Sequence, residues 1–459
     1  MIHTTMMGRD LALLAPELTL AAAAMLMIVA EMFRAARLVL AIGLAGLAAA
    51  TLLTLPMLSV DATVFGGTYR IDLISVWAKL ILLPGTALSL LLVRAEIAGR
   101  PREGSVQSLV VLVTLGALML SGAGDMMVVV IGVVLTGLGS FALVAWPRDD
   151  AATEAAMKYL VFGAVTGSVM IYGLTFWFGG TGSTLFSELG QLQGQTLVTI
   201  AGLIAIIVGL GYKGSLVPFH FWAPDAYQGA PVSIAAYLSV ITKAAAFFAF
   251  AQVLRDLPRD GGWPLALAVI AAATMTYGYL AALVQTNLVR LIAYSSVAQS
   301  GYFLMGVVAL GASGFAVPGI LVFAAAYVAM NLGAFAVVLL AGRDLGDLEG
   351  FGRTRPWLGA AMVVFLLSLT GIPPLFGFVG KFYLLSAAVE AGYLWLAIIG
   401  VLNSVLALGV YLRLIVPMYR TAPEECRSGS GAGLTRATVM VTLLATLFLG
   451  LLAGALPAP

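Results

Sequence analysis

The sequence predicts an all-α polytopic membrane protein with about fourteen transmembrane helices. Of its 459 residues, 61% are hydrophobic and only 10% are charged, whereas an ordinary soluble domain carries about 25% charged residues. Apolar runs follow one another along the whole chain, and a hydrocarbon core about 30 Å thick needs about 20 apolar residues per helix. These observations exclude a water-soluble enzyme and predict a chain that crosses a lipid bilayer many times.

Each apolar run predicts one span. The first run follows Arg9 and Asp10, contains Glu17 and lacks a small-residue cleavage pattern, so we expect it to be kept as a helix and not removed as a signal peptide. The fourteen predicted spans lie near residues 11–32, 36–56, 72–93, 105–121, 125–146, 157–178, 196–220, 230–253, 263–285, 288–310, 317–341, 357–389, 392–416 and 435–456.

The basic residues that flank these spans predict the orientation of the chain, because arginine and lysine concentrate in cytoplasmic loops. An outer N-terminus places fifteen of them inside and four outside and leaves four within spans, so both termini are predicted on the outer side. The inside residues are Arg34, Arg37, Arg94, Arg100, Arg102, Arg148, Lys158, Arg290, Arg343, Arg353, Arg355, Arg413, Arg420, Arg427 and Arg436. The outside residues are Arg9, Arg70, Arg255 and Arg259.

The few polar residues also limit the chemistry of the chain. Its 23 basic and 21 acidic residues nearly cancel, so no basic surface for nucleic acid is expected. Cys426 is the single cysteine, which excludes a disulfide framework and a cysteine-based metal cluster, and we expect a reduced thiol without function in a cytoplasmic loop. With only His3 and His220 as further ligands, no metal, haem or other redox centre is expected in this chain.

The four basic residues inside spans are Lys79, Lys213, Lys243 and Lys381. An ammonium group in hydrocarbon costs at least about 2.5–3.5 kcal/mol, so such a lysine must face protein or water and commonly marks an ion or proton path. Lys79 lies near the outer end of its span, and for it both snorkelling to the surface and a function are open. For the other three lysines we expect a function.

Two of these lysines lie where a helix is predicted to break. Lys213 lies in a glycine-rich stretch five residues before Pro218, and Lys381 follows residues 371–374 (GIPP) in an apolar segment too long for one uninterrupted span. Irregular backbone at membrane depth is tolerated only against protein or water, and transporters commonly build their sites from such broken helices. The alternative is a proline kink that simply packs against its neighbours.

Lys243 has no proline within one turn, but Ser239 and Thr242 are predicted to offer hydroxyls to a water chain beside it. Lys213 and Lys381 are five spans apart, and an odd offset is what two inverted repeats produce. We therefore predict a three-helix segment in residues 1–104, a first five-helix repeat in 105–254, a second inverted repeat in 263–420 and a C-terminal helix in 435–459.

Four stretches of sequence carry a resemblance to a known family. They are residues 154–163 (EAAMKYLVFG), 218–231 (PFHFWAPDAYQGAP), 285–296 (QTNLVRLIAYSS) and 371–378 (GIPPLFGF) with Lys381. In these stretches the chain resembles the antiporter-like membrane subunits of bacterial respiratory complex I, in particular the subunit N branch of NADH:quinone oxidoreductase.

The resemblance implies fourteen helices, two inverted five-helix bundles and proton translocation in the bacterial inner membrane, with other antiporter-like and small membrane-arm subunits as partners. It implies a translocase that acts only as part of the oxidoreductase, without redox catalysis by this chain alone. NADH, flavin, iron–sulfur clusters and quinone are expected in partner subunits.

Residue by residue, the resemblance assigns Lys213, Lys243 and Lys381 to a proton relay, in which Lys243 is central and Lys381 faces the exit. Two positions depart from the family pattern. The fifth-span glutamate that pairs with the seventh-span lysine corresponds to Val134, and a tenth-span histidine corresponds to Gln299, which hydrogen-bonds but does not titrate. We therefore expect a path that is altered or weakened at the fifth span.

Alternatively, the proton path is expected to be rerouted, with protons entering from Glu154 near the cytoplasmic end. His220 and Asp225 follow the seventh span, where either a proton uptake point or a structural loop with His220 capping a helix end is expected. Two other functions remain open: a subunit of a multisubunit cation/proton antiporter, and a structural membrane-arm subunit with a degenerate channel.

Overall fold

The computed structural model describes residues 2–33, 35–420 and 432–455. Arg34, Arg427 and Cys426, for which loop positions were predicted, lie outside these ranges. Within them the chain forms nineteen α-helices and one β-hairpin. The helices are α1 (Ile2–Leu13), α2 (Ala15–Met32), α3 (Ala36–Thr54), α4 (Leu73–Ile97), α5 (Glu103–Ser121), α6 (Met126–Val144), α7 (Asp150–Thr181), α8 (Thr196–Lys213), α9 (Trp222–Gly229), α10 (Val232–Tyr237), α11 (Lys243–Leu254), α12 (Trp263–Leu283), α13 (Leu288–Val308), α14 (Ala316–Ala341), α15 (Phe351–Thr354), α16 (Pro356–Thr370), α17 (Phe376–Glu390), α18 (Leu394–Met418) and α19 (Ala432–Ala455).

The helices confirm the predicted membrane fold. In the described ranges thirteen helical stretches are long and apolar enough to cross a bilayer, and α16 is a shorter apolar helix. Together with α17, α16 accounts for the long twelfth predicted span, which brings the number of spans to fourteen. The eighth span, Val232–Leu254, consists of α10, a π-helical segment (Leu238–Thr242) and α11.

Polar side chains fix where several spans begin. Asp72, Asp125, Asp149 and Asn287 each precede a helix and accept a hydrogen bond from a backbone N–H in its first turn. Such caps satisfy donors that have no partner within the helix. The cap at Asp149 explains why α7 starts seven residues before the predicted sixth span.

A short antiparallel hairpin, absent from the prediction, lies between α3 and α4. Strand β1 (Ala62–Val64) pairs with β2 (Tyr69–Ile71), with Ala62 opposite Ile71. Gly66 and Gly67 turn the chain with positive φ angles of 68° and 96°. We call this end of the molecule the hairpin face.

Two spans are interrupted, as predicted. Helix α8 ends at Lys213, earlier than the predicted end at residue 220, and α9 starts only at Trp222. Helix α16 ends before Gly371, whose φ of 94° suits glycine, and α17 resumes at Phe376. Both breaks therefore lie beside a lysine, while the inverted relation of the two repeats stays a prediction.

The centre of the molecule is formed by three spans. In the most apolar stretch of Val232–Leu254 every residue is buried. The buried share is 94% in α13 and 89% in α14, whereas it is 28% in α7. Polar side chains on these three spans are therefore surrounded by protein and not by lipid, which gives them the setting that an intramembrane site requires.

Candidate functional site

Lys243 lies at the core of the candidate site. It is the first residue of α11, directly after the π-helical segment, and its side chain is fully buried. Its Nζ donates hydrogen bonds to the carbonyl oxygen of Ser296 at 2.9 Å and to Ser296 Oγ at 2.5 Å. A π-turn within an α-helix is rare and is frequently found at functional sites.

Neither Ser239 nor Thr242, whose hydroxyls were predicted to hold a water chain beside Lys243, bonds to the lysine directly. Thr242 Oγ1 donates to the carbonyl of Leu238, and Ser239 Oγ donates to the carbonyl of Ala236, so both hydroxyls bond to their own helix. Serine and threonine within helices commonly bond back to a preceding carbonyl in this way. The lysine therefore takes its hydroxyl partner from α13.

A cluster of polar side chains from α13 and α14 extends the site. Tyr327 donates to Ser296 Oγ at 2.7 Å, and Asn331 Nδ2 donates to Ser239 Oγ at 2.8 Å and to the Tyr327 hydroxyl at 3.2 Å. Sequence reasoning missed these partners. The signal was present, since Tyr327 and Asn331 are polar, four residues apart and therefore on one face of an otherwise apolar span.

Lys381 is held by the break in the twelfth span. Its buried Nζ donates to the carbonyl of Thr370 at 3.1 Å and to Ser404 Oγ at 3.4 Å, and it lies 3.9 Å from the centre of the Tyr302 ring. Thr370 is the last residue of α16, so its carbonyl accepts no hydrogen bond from a backbone N–H of its own helix. The interruption at Gly371 thus supplies an acceptor for the buried ammonium, and the ring adds a cation–π contact.

Gln299 lies between the two lysines. Its Nε2 donates to the carbonyl of Leu369 at 2.9 Å and reaches the Tyr411 hydroxyl at 3.5 Å. Tyr411 in turn shares a hydrogen bond of 2.6 Å with Ser295 Oγ. Ser295 is next to Ser296 in the chain and Leu369 is next to Thr370, so this hydrogen-bonded network adjoins the partners of both lysines through the backbone. We call the set Lys243, Ser296, Ser295, Tyr411, Gln299 and Lys381 the central polar file.

Lys213 stands apart from this file. It is 1% exposed at the end of α8, and among the described residues its Nζ has neither a hydrogen-bond partner nor an ion pair. The group lies 5.8 Å from the Tyr159 ring, which stacks on Trp222 at 4.2 Å. The negative end of the α8 dipole is the remaining nearby feature that favours a cation here.

The side chain of Val134 points away from the interior. It is 47% exposed on α6, on the same outward face as Ile131 and Leu138. A carboxylate at this position would therefore lie on the surface of the isolated chain, where lipid or a neighbouring subunit would cover it.

His220 does not cap a helix, so the capping interpretation is wrong. Its buried ring lies 4.4 Å from the Phe221 ring and 4.6 Å from the Tyr277 ring, and among the described residues neither ring nitrogen meets a hydrogen-bond partner. Burial lowers the pKa of this imidazole to about 4. The side chain is neutral at physiological pH and surrounded by aromatic rings.

Asp225 anchors a charge cluster at the end of the molecule opposite the hairpin face. Its carboxylate lies 2.5 Å from Arg290 Nη1 and 3.0 Å from Lys158 Nζ, and Lys158 also lies 2.7 Å from Glu154 Oε1. Partial burial by itself would raise the pKa of Asp225, but the two cations hold it below its ordinary value. Glu154 is exposed and paired with Lys158, so the structure does not bring it to Lys213.

Lys79 does not snorkel. Its fully buried Nζ lies 2.7 Å from Glu17 Oε1, and the Tyr69 hydroxyl donates to the same oxygen at 2.5 Å. A buried ammonium is tolerated when it is paired, which explains how α4 carries this charge inside an apolar bundle. The pair lies near the hairpin face and away from the central polar file.

The part of the chain that the structure describes contains no group of three or more His, Cys, Asp or Glu side chains that could hold a metal ion. The candidate site is therefore made of lysines, hydroxyls and amides. Such groups bind and pass protons or hold water, and together with the fold they define a polytopic membrane protein with a buried, protonatable interior.

The chain belongs to the family described as the transmembrane part of NADH:quinone oxidoreductase and Mrp antiporters, whose model matches residues 123–407. NADH-quinone oxidoreductase subunit N from Heliobacterium modesticaldum is 37% identical over 422 residues, which cover 90% of this chain and 89% of that protein. A chain of respiratory complex I from Thermus thermophilus is 31% identical, with a TM-score of 0.84 and coverage of 96% of this chain and 97% of that one. A chain of the Mrp complex from Dietzia is similar in fold, with a TM-score of 0.83 at 22% identity and coverage of 97% and 96%.

Proposed function

We propose that this chain is a proton-translocating membrane-arm subunit of NADH:quinone oxidoreductase. Its relatives over most of its length are subunit N proteins of that complex, and its buried basic residues lie in a fully enclosed interior. NADH oxidation and quinone reduction belong to partner subunits, and neighbouring antiporter-like and small membrane subunits complete the arm. We place the protein in the bacterial inner membrane, with both termini on the periplasmic side.

The observation that carries this proposal is the central polar file. Protons pass along chains of donors and acceptors that are buried, close together and able to exchange roles, and hydroxyl groups both donate and accept. Ser296 bonds to Lys243, and the network of Gln299, Tyr411 and Ser295 lies one residue along the chain from Ser296 and from the carbonyl partner of Lys381. Water is proposed to complete the path at these two steps. In the relay we propose, Lys243 holds a proton at the centre and Lys381 passes it on.

Lys213 is the third member of the proposed relay and has the fewest polar contacts of the three lysines. Without an acidic partner in reach, its charge is stabilised mainly by the end of α8 and by Tyr159. Water molecules must therefore bridge the gap to Lys243. His220 and Asp225, at the same end of the bundle, flank the region where protons would be taken up.

Assembly with redox subunits distinguishes the proposed function from a cation/proton antiporter. We expect a tagged copy of this chain to co-purify with flavin-containing and iron–sulfur subunits. Purification with small membrane subunits alone would instead favour the antiporter. We further expect Lys381→Ala to lower NADH-driven proton transport by the purified complex in vesicles, whereas Arg353→Ala, on an exposed side chain, leaves it unchanged. Normal assembly with full transport in Lys381→Ala would favour a degenerate channel.

A further inference from the structure

Helix α4 contacts the Lys243-bearing span at both of its ends through carboxylates. Glu96, next to the last residue of α4, accepts hydrogen bonds from the backbone N–H of Val232 at 3.0 Å and of Ser233 at 2.8 Å. Ser233 Oγ donates a third bond to the same carboxylate at 2.6 Å. Glu96 therefore supplies, from another helix, the cap that Pro231 does not supply at the start of the eighth span.

The other end of the span is held by Asp72, the residue just before α4. Its carboxylate lies 2.7 Å from Arg255 Nη1 and accepts bonds of 3.1 Å from Gln252 Nε2. Gln252 is completely buried and also donates to the carbonyl of Ser121 at 2.9 Å. Charge-assisted bonds of this kind are shorter and stronger than neutral ones.

Between these ends α4 packs closely against the π-helical segment. A Cβ atom added at Gly85 would lie 2.9 Å from Ile241 Cδ1 and 2.9 Å from Val328 Cγ1, so the absence of a side chain allows this approach. Thr86 joins Thr114, and Thr114 joins the hydroxyl of Tyr237 just before the segment. The span is thus fixed to α4 and its neighbours at its start, its middle and its end.

The geometry points to Glu96 and Asp72 as positioning residues for Lys243. A π-turn accommodates one extra residue, and each residue of an α-helix turns the chain by about 100°. If the ends of the span were free, Leu238–Thr242 could relax to an α-helix, and that relaxation would rotate Lys243 relative to α10. Pinning both ends against α4 keeps the extra residue where it is and keeps Nζ on Ser296.

This proposal rests on the proposed relay role of Lys243, and the experiment separates the two. The complex is purified with Glu96→Gln, with Arg255→Gln at the opposite end, and with Glu31→Gln as the control. Glu31 of α2 accepts a bond of 3.5 Å from Ser105 Oγ of α5, and it bonds to no described residue of α4 or of the eighth span. Hydrogen exchange of residues 234–242 and NADH-driven proton uptake are measured for each.

We expect about tenfold faster exchange of residues 234–242 in Glu96→Gln and in Arg255→Gln, with α13 unaffected, because each change weakens charge-assisted bonds at one end. Proton uptake should fall with the KM for NADH unchanged in these two variants, and Glu31→Gln should alter neither the exchange nor the uptake. Unchanged exchange in both variants would overturn the positioning role, and so would faster exchange with full proton uptake. Full uptake in Lys243→Ala would instead overturn the relay itself.

Discussion

The hydroxyl of Ser296 offers the sharpest test of how the buried lysine is held. Its Oγ is the acceptor of the 2.5 Å bond from Lys243 and of the 2.7 Å bond from Tyr327. Ser296→Ala removes this acceptor, while the backbone carbonyl of residue 296 keeps its own bond to Nζ. A hydrogen bond to a charged group contributes about 1.5–3 kcal/mol, so proton transfer through Lys243 should slow about 10- to 150-fold.

The assay is the initial rate of NADH-driven proton uptake into vesicles that contain the purified complex. Ser89→Ala is the matched control, because Ser89 is equally buried and its Oγ donates to the carbonyl of Gly85 in its own helix, outside the central polar file. Proton uptake should fall in Ser296→Ala and stay near the wild-type rate in Ser89→Ala. Equal rates in the two variants would refute the importance of this hydroxyl.

Three further predictions concern charges outside the file. Lys79→Met should destabilise the protein by about 3–5 kcal/mol because it leaves Glu17 buried without its cation, and the double variant with Glu17→Gln should recover most of that loss in thermal unfolding. Asp225→Asn should lower thermal stability at pH 7, because the ionised carboxylate binds its two cations there. The folded-state pKa of Asp225 lies below its ordinary value of 3.8, so the difference between variant and wild type should vanish as the pH falls through that folded-state value. Val134→Glu should not increase proton uptake, because its side chain faces outward; an increase would show that this carboxylate reaches Lys213 in the assembled complex.

Features that depend on local composition were predictable. The apolar runs predicted the spans, and the glycine and proline residues near Lys213 and Lys381 predicted the two helix breaks. The π-helical segment before Lys243 was missed because residues 238–242 (LSVIT) contain neither residue type. The contacts proposed to hold it come from α4, more than 140 residues away in the chain, and a local pattern does not contain them.

Pairings between distant residues were not predictable. Ser296 is 53 positions from Lys243, and Glu17 is 62 positions from Lys79, so only the packing of helices brings them together. The outward position of Val134, in contrast, had a local signal. The polar residues Thr136 and Ser140 of α6 lie four residues apart and are both buried, so they mark the inward face of an otherwise apolar helix, and Val134 lies on the other side.

The role of Lys243 is tested most directly by the number of protons moved per NADH oxidised by the complex with Lys243→Ala. We expect this number to fall while the complex stays assembled, because the central polar file loses its proton-holding group. A variant that assembles fully and moves as many protons per NADH as the wild type would show that Lys243 carries no proton.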